Sequence, residues 1–248
     1  MTAPADQLQV IRAADRVHWR NEWLWSKQSF NATGNFDLAA SAHGILMVHN
    51  EDFVDPGAGF DTHQHQDTEI VTWVLEGSVV HQDSAGHSGI VHPGLAQRMS
   101  AGTGILHSER NGAAWNEKPA LHVVQMWIPS DETGLAPSYQ EMDVADALTD
   151  DALVAVASGM RRHRDETAIT LNNRYAALHV ARLRTGAAVR IPDAPYGHLF
   201  VARGAVDLES AGRLEQGDAV RLTATGGHTV TALEPSELLV WEMHAGFA

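Results

Sequence analysis

Cysteine is absent from all 248 residues. That excludes disulfides, thiolate nucleophiles, iron–sulfur clusters and cysteine-type zinc sites together. Basic residues are scarce: 17 Lys and Arg stand against 31 Asp and Glu, a formal charge of −14. Such a surface repels a phosphate backbone, so no direct nucleic-acid partner is expected. The one basic cluster, Arg161-Arg162-His163-Arg164, runs into Asp165-Glu166 and reads as a solvated turn. Long apolar runs are missing as well, and none approaches the roughly 20 residues of a membrane span. Residues 1–12 carry Asp6 and lack the basic and apolar segments of a signal peptide. A cytoplasmic protein with no membrane partner is expected.

The composition, 44% hydrophobic and 19% charged, is that of a globular chain. Its length fits one large or two ordinary domains. Stretches at helical period are few. Short apolar runs recur instead at 44–48, 70–75, 121–128, 175–183, 199–202 and 238–241, with turn pairs such as Glu76-Gly77, Pro93-Gly94 and Arg203-Gly204 between them. Strands punctuated this regularly predict an all-β sandwich or barrel. The chain also repeats itself. Residues 73–79 match 200–206, Ser84-Ala85-Gly86 matches Ser210-Ala211-Gly212, and Met99-Ser100-Ala101 matches Leu222-Thr223-Ala224. Two similar β-barrels follow: an N-terminal domain at 1–133, a linker with a short helix at 134–150, and a C-terminal domain at 151–248. The acidic residues of the linker region read as solvated.

Histidine is abundant, with 15 residues. His63 and His65 are two apart, which on a strand puts both rings on one face. Chance supplies about one such pair, so the context decides. His107 and Glu109 show the same spacing after the Gly102-Thr103-Gly104 turn. Two strands offering these residues inward would bring three imidazoles and a carboxylate together. That set suits one divalent transition metal, Fe, Mn, Ni, Co, Cu or Zn, rather than Ca or Mg. It leaves open positions, the mark of a catalytic site. In the second copy the matching positions are Arg190, Pro192, Val230 and Ala232, so the C-terminal barrel is expected to lack metal ligands. Glu69 shares the parity of His63 and His65 and could itself supply the carboxylate; with Glu109 as ligand, Glu69 is expected to orient an imidazole. His81, His87 and His92 read as solvated, and His198 and His228 as ordinary histidines. Trp23, Trp25, Trp73 and Trp127 read as core or cavity wall.

The segment 59–77, with Asp61-Thr62-His63-Gln64-His65 at its heart, is followed by His81-Gln82-Asp83-Ser84, Met99-Ser100-Ala101-Gly102-Thr103-Gly104 and His107-Ser108-Glu109. Gln125-Met126-Trp127-Ile128-Pro129 and Pro137-Ser138-Tyr139-Gln140 come next. This order resembles the pirin family, and most of all its bacterial quercetinase-like branch. The resemblance implies a bicupin, two cupin barrels in one chain, with Fe(II) held in the first by His63, His65, His107 and Glu109. It also implies a quercetin 2,3-dioxygenase-like oxidoreductase that opens a flavonol-like aromatic substrate with O2, Glu109 serving as catalytic base. The alternative it carries is a metal-binding regulator that contacts a transcription factor or metabolic enzyme.

Overall fold

Alternating apolar and polar residues, cut by glycine turns, form strands throughout the residues that the computed structural model describes, 7–34, 37–115, 117 and 120–247. The N-terminal half contains β1 (Gln7–Ile11), β2 (Val17–Arg20), β3 (Leu24–Gln28), β4 (Val48–Val54), β5 (Gly59–His65) and β6 (Thr68–Glu76). It continues with β7 (Val79–Asp83), β8 (Ser88–Val91), β9 (Leu95–Ser100), β10 (Ile105–Asn111), β11 (Leu121–Pro129) and β12 (Ser138–Asp143). The C-terminal half has β13 (Val154–Ser158), β14 (Ile169–Thr170), β15 (Ala176–Leu183), β16 (Ala188–Arg190) and β17 (Tyr196–Arg203). It ends with β18 (Ala205–Leu208), β19 (Gly212–Glu215), β20 (Ala219–Thr223), β21 (Thr229–Ala232) and β22 (Ser236–Met243).

Each half is a barrel of one seven-stranded and one four-stranded sheet. The first has the orders β12-β9-β6-β11-β4-β3-β2 and β5-β10-β7-β8; the second has β1-β20-β17-β22-β15-β13-β14 and β16-β21-β18-β19. The internal repeat is visible in the register. Thr72 pairs with Gln97 and Gln125, and Leu199 pairs in the same way with Val220 and Val240. Gly77 and Gly204 close matching turns at φ +77° and +76°, a conformation that favours glycine.

The two seven-stranded sheets pack back to back. Their outer faces share one core that includes Trp73, Met126, Phe200 and Trp241, and each such side chain buried is worth about 1.5–3 kcal/mol. Polar bonds cross the same junction: the Trp73 indole donates to Glu237 at 2.6 Å. Arg16, 4% exposed, pairs with Glu51 at 2.7 Å and donates to the Gly217 carbonyl.

The expected boundaries change in two places. Residues 134–150 are not a free linker, because they contain β12, hydrogen-bonded to β9 along its whole length. The short helix expected there is a single 3₁₀ turn, Asp146–Leu148. The acidic residues that suggested a linker belong partly to this edge strand, where charge discourages pairing with another chain. Residues 7–11, expected in the first domain, form β1 and extend the second barrel's sheet beside β20.

Candidate metal centre

The four-stranded sheet of the first barrel carries the predicted residues. β5 and β10 pair antiparallel with His107 opposite His63, and the register shifts between His107 and Glu109, a bulge. Gly59 makes the close approach possible: a Cβ there would lie 2.3 Å from the Glu109 carbonyl oxygen. Bulges of this kind re-aim side chains beside functional sites.

His63, His65 and His107 converge, with one ligand nitrogen from each lying within 4.8 Å of the others. Their rings are 4.4–4.9 Å apart. His63 Nδ1 bonds the Asp61 carbonyl at 2.7 Å, which makes Nδ1 the protonated nitrogen and leaves Nε2 free as a ligand. His65 Nε2 and both nitrogens of His107 are buried and without a partner among the described residues. Burial, then the neighbouring imidazoles, pushes His65 down to about 4 and His107 down to about 3. Both are neutral at pH 7, the form a metal requires. Orphaned, neutral, converging imidazoles fit a transition metal.

Glu109, 6% exposed, groups with His107 and His81 rather than with His63 and His65. Gln125 Nε2 donates to its Oε2 at 2.6 Å, and the Trp127 indole donates to Gln125 Oε1 at 3.0 Å. This chain fixes the orientation of the amide and reaches from the seven-stranded sheet to the carboxylate. Trp127 also packs edge-on against His65, with ring centroids 4.7 Å apart.

Four sequence expectations need correction. Glu69 does not orient an imidazole. Its carboxylate accepts from Ser100, Ser130 and Asn172, with Arg98 at 3.8 Å. The parity argument fails at Asp67, whose φ of +48° turns the chain between β5 and β6, so Glu69 belongs to the other sheet. His81 is not solvated: it is 1% exposed, stands opposite Glu109 on β7, and its ring lies 5.4 Å from His107. The signal was period two, since Val79, His81 and Asp83 share one face. His198 is not an ordinary histidine either. It is fully buried, with both nitrogens unpartnered among the described residues, and its ring centroid lies 4.6 Å from that of His49 across the junction between the barrels. Arg162, in the expected solvated turn, instead pairs with the buried Glu242. Trp73 is core, Trp23 and Trp25 line pockets as expected, Trp25 stacking on Phe53, and Trp127 packs against a small core cluster and His65.

Sequence reading missed a polar row across the seven-stranded sheet: Gln97, Thr72, Gln125, Asn50 and Gln28 stand in register. Gln97 Oε1, Thr72 Oγ1 and Asn50 Oδ1 are buried and unpartnered among the described residues. The second barrel has Val220, Leu199 and Val240 at the first three positions, in a closed apolar core. That contrast between copies was readable from the repeat. The interior of the first barrel is built for polar contents, and that of the second is filled.

A family model described as Pirin matches residues 10–128, and one described as the quercetinase C-terminal cupin domain matches residues 156–243. A protein of Mycobacterium tuberculosis, provisionally named a quercetin 2,3-dioxygenase, is 51% identical over 238 residues, 96% of this chain and 96% of its own length. The quercetin 2,3-dioxygenase of Escherichia coli is 42% identical over 134 residues, 54% of this chain and 57% of that one. The crystal structure of the bacterial pirin YhhW from Escherichia coli in complex with nickel(II) aligns with a TM-score of 0.83 at 28% identity, covering 96% of this chain and all of that one.

Proposed function

The chain belongs to the pirin family, and on that footing we propose that it is a metal-dependent dioxygenase that opens a flavonol-like substrate with O2. The observation that carries the reading is the set of three converging imidazoles beside a carboxylate held by Gln125, which Trp127 orients. His63, His65 and His107 hold the ion, with iron the first choice and Ni, Mn, Co, Cu or Zn also compatible with the donors. Glu109, which lies within reach of His107, would complete the set. When bound, the metal supplies a Lewis acid that lowers the pKa of a chelating hydroxyl and an open position for the second reactant.

Glu109 takes the substrate hydroxyl's proton, the role of a general base within hydrogen-bond reach. Gln125, which donates to Glu109 Oε2, keeps the carboxylate in place for that role. Trp127 and Phe60, flanking His65 and His63, exclude water from the reacting face. The relatives' names support the reaction class, and the nickel complex of YhhW supports the fit of a divalent ion in this family.

The test is direct. Protein loaded with iron is incubated with quercetin in air while the flavonol absorbance is followed. Its steady loss is expected. No loss with Fe, Ni, Co, Mn or Cu contradicts the proposal.

A further inference from the structure

A cavity of 260 Å³ is lined by the aromatic Trp19, Trp23 and Phe60 and the polar Ser26, Asn50 and Asp52. Phe60 belongs to both spaces, since its ring lies 6.4 Å from that of His63. Asn50 stands in register with Gln125, the residue that holds Glu109. Phe60 and Asn50 thus place the cavity next to residues of the metal centre.

Two acceptors in it lack donors. Asn50 Oδ1 and Asp52 Oδ1 are buried and bond nothing among the described residues, and a buried acceptor left unmet costs about 1–3 kcal/mol. The second barrel shows no such pair. Strand register places His179 and Ala181 at the equivalent positions, and His179 is bonded to Glu242 at 3.0 Å. Burial pushes the Asp52 carboxyl up to about 7 against a bond from Ser26 that holds it down, so one of its oxygens is met and Oδ1 is the one left over. Flat aromatic walls around two acceptors suit an aromatic ring that brings its own O–H donors.

We propose that this cavity binds a hydroxylated ring of the substrate, with Asp52 and Asn50 accepting from its phenolic O–H groups. The rest of the substrate reaches the metal pocket, so the inference deepens the dioxygenase reading and takes its substrate class from it. A site built to bond a hydroxyl discriminates strongly against the analogue that lacks it, because its own buried groups are then left unpaired.

Binding is measured by calorimetry on the full-length protein as purified, kept under nitrogen so that no turnover occurs. The probes are quercetin, with two hydroxyls on its separate ring, and galangin, with none. Quercetin is expected to bind at least about tenfold more tightly, and Asp52→Ala and Asn50→Ala each to shrink that preference severalfold while galangin affinity stays level. Equal affinity for the two probes in the unmodified protein overturns the proposal. So does absence of quercetin binding, or a preference that survives both substitutions. The readout is separate from turnover: equal calorimetric affinity for the two probes in a protein that still consumes quercetin with oxygen would sink the ring site and leave the dioxygenase standing.

Discussion

At the scale of single residues, chemistry was easier to read than partnership. The ligand-type residues His63, His65, His107 and Glu109 announce themselves by type and spacing, because a strand's period of two is a local property. What each side chain touches across the barrel is not local. Glu69 looked like a neighbour of the imidazoles, yet it binds Ser100, Ser130 and the Asn172 loop of the other barrel, beside the buried Arg98. Glu69→Ala should therefore cost about 3–5 kcal/mol, since it removes the buried acceptor of Ser100, Ser130 and Asn172 and the carboxylate that offsets the Arg98 charge, while metal content stays unchanged. Thermal melting and elemental analysis of the variant check this. A folded Glu69→Ala protein that has lost its metal would restore the imidazole role.

At the scale of elements, the strands and the repeat were legible because turn glycines and β-branched runs mark them. The exceptions have one cause: an edge strand is half solvated and reads as a loop. β12 was hidden in this way by Glu141 and Asp143, and β1 by its polar face. The bulge that sets His107 against Glu109 was also invisible, since nothing in the sequence states that Gly59 touches the Glu109 backbone. Gly59→Ala tests its importance. The added methyl has no room and should destabilise the protein by about 1–3 kcal/mol, and the parting of β5 from β10 should lower metal affinity at least about tenfold. Unchanged metal affinity in a competition titration would show that the bulge does not aim the ligands.

At the scale of the whole molecule, the barrels are one body. Trp73 and Trp241 are buried in a core drawn from both, so unfolding is expected in one cooperative transition. His49 and His198 meet in that junction. Burial pushes His49 down to about 3 and His198 well below its usual range, with nearby positive charge acting in the same direction. Unfolded, both would take up protons below about pH 6.5. The unfolded state then binds more protons than the folded one, so stability declines as pH falls from there. His198→Leu should flatten this decline between pH 6.5 and 5, by up to about 2 kcal/mol at the lower end. Melting curves across that range decide it, and an unaltered slope would remove His198 from the account. No sequence pattern pointed to this pair, because it forms only when the two seven-stranded sheets meet.

Elemental analysis of protein purified without added metal, compared with His107→Ala prepared identically, is the most direct test of the centre itself. The account predicts close to one transition-metal ion per chain in the first, almost none in the second, and flavonol turnover lost along with the ion. A His107→Ala protein that is verified free of metal yet turns over substrate at the full rate would contradict it.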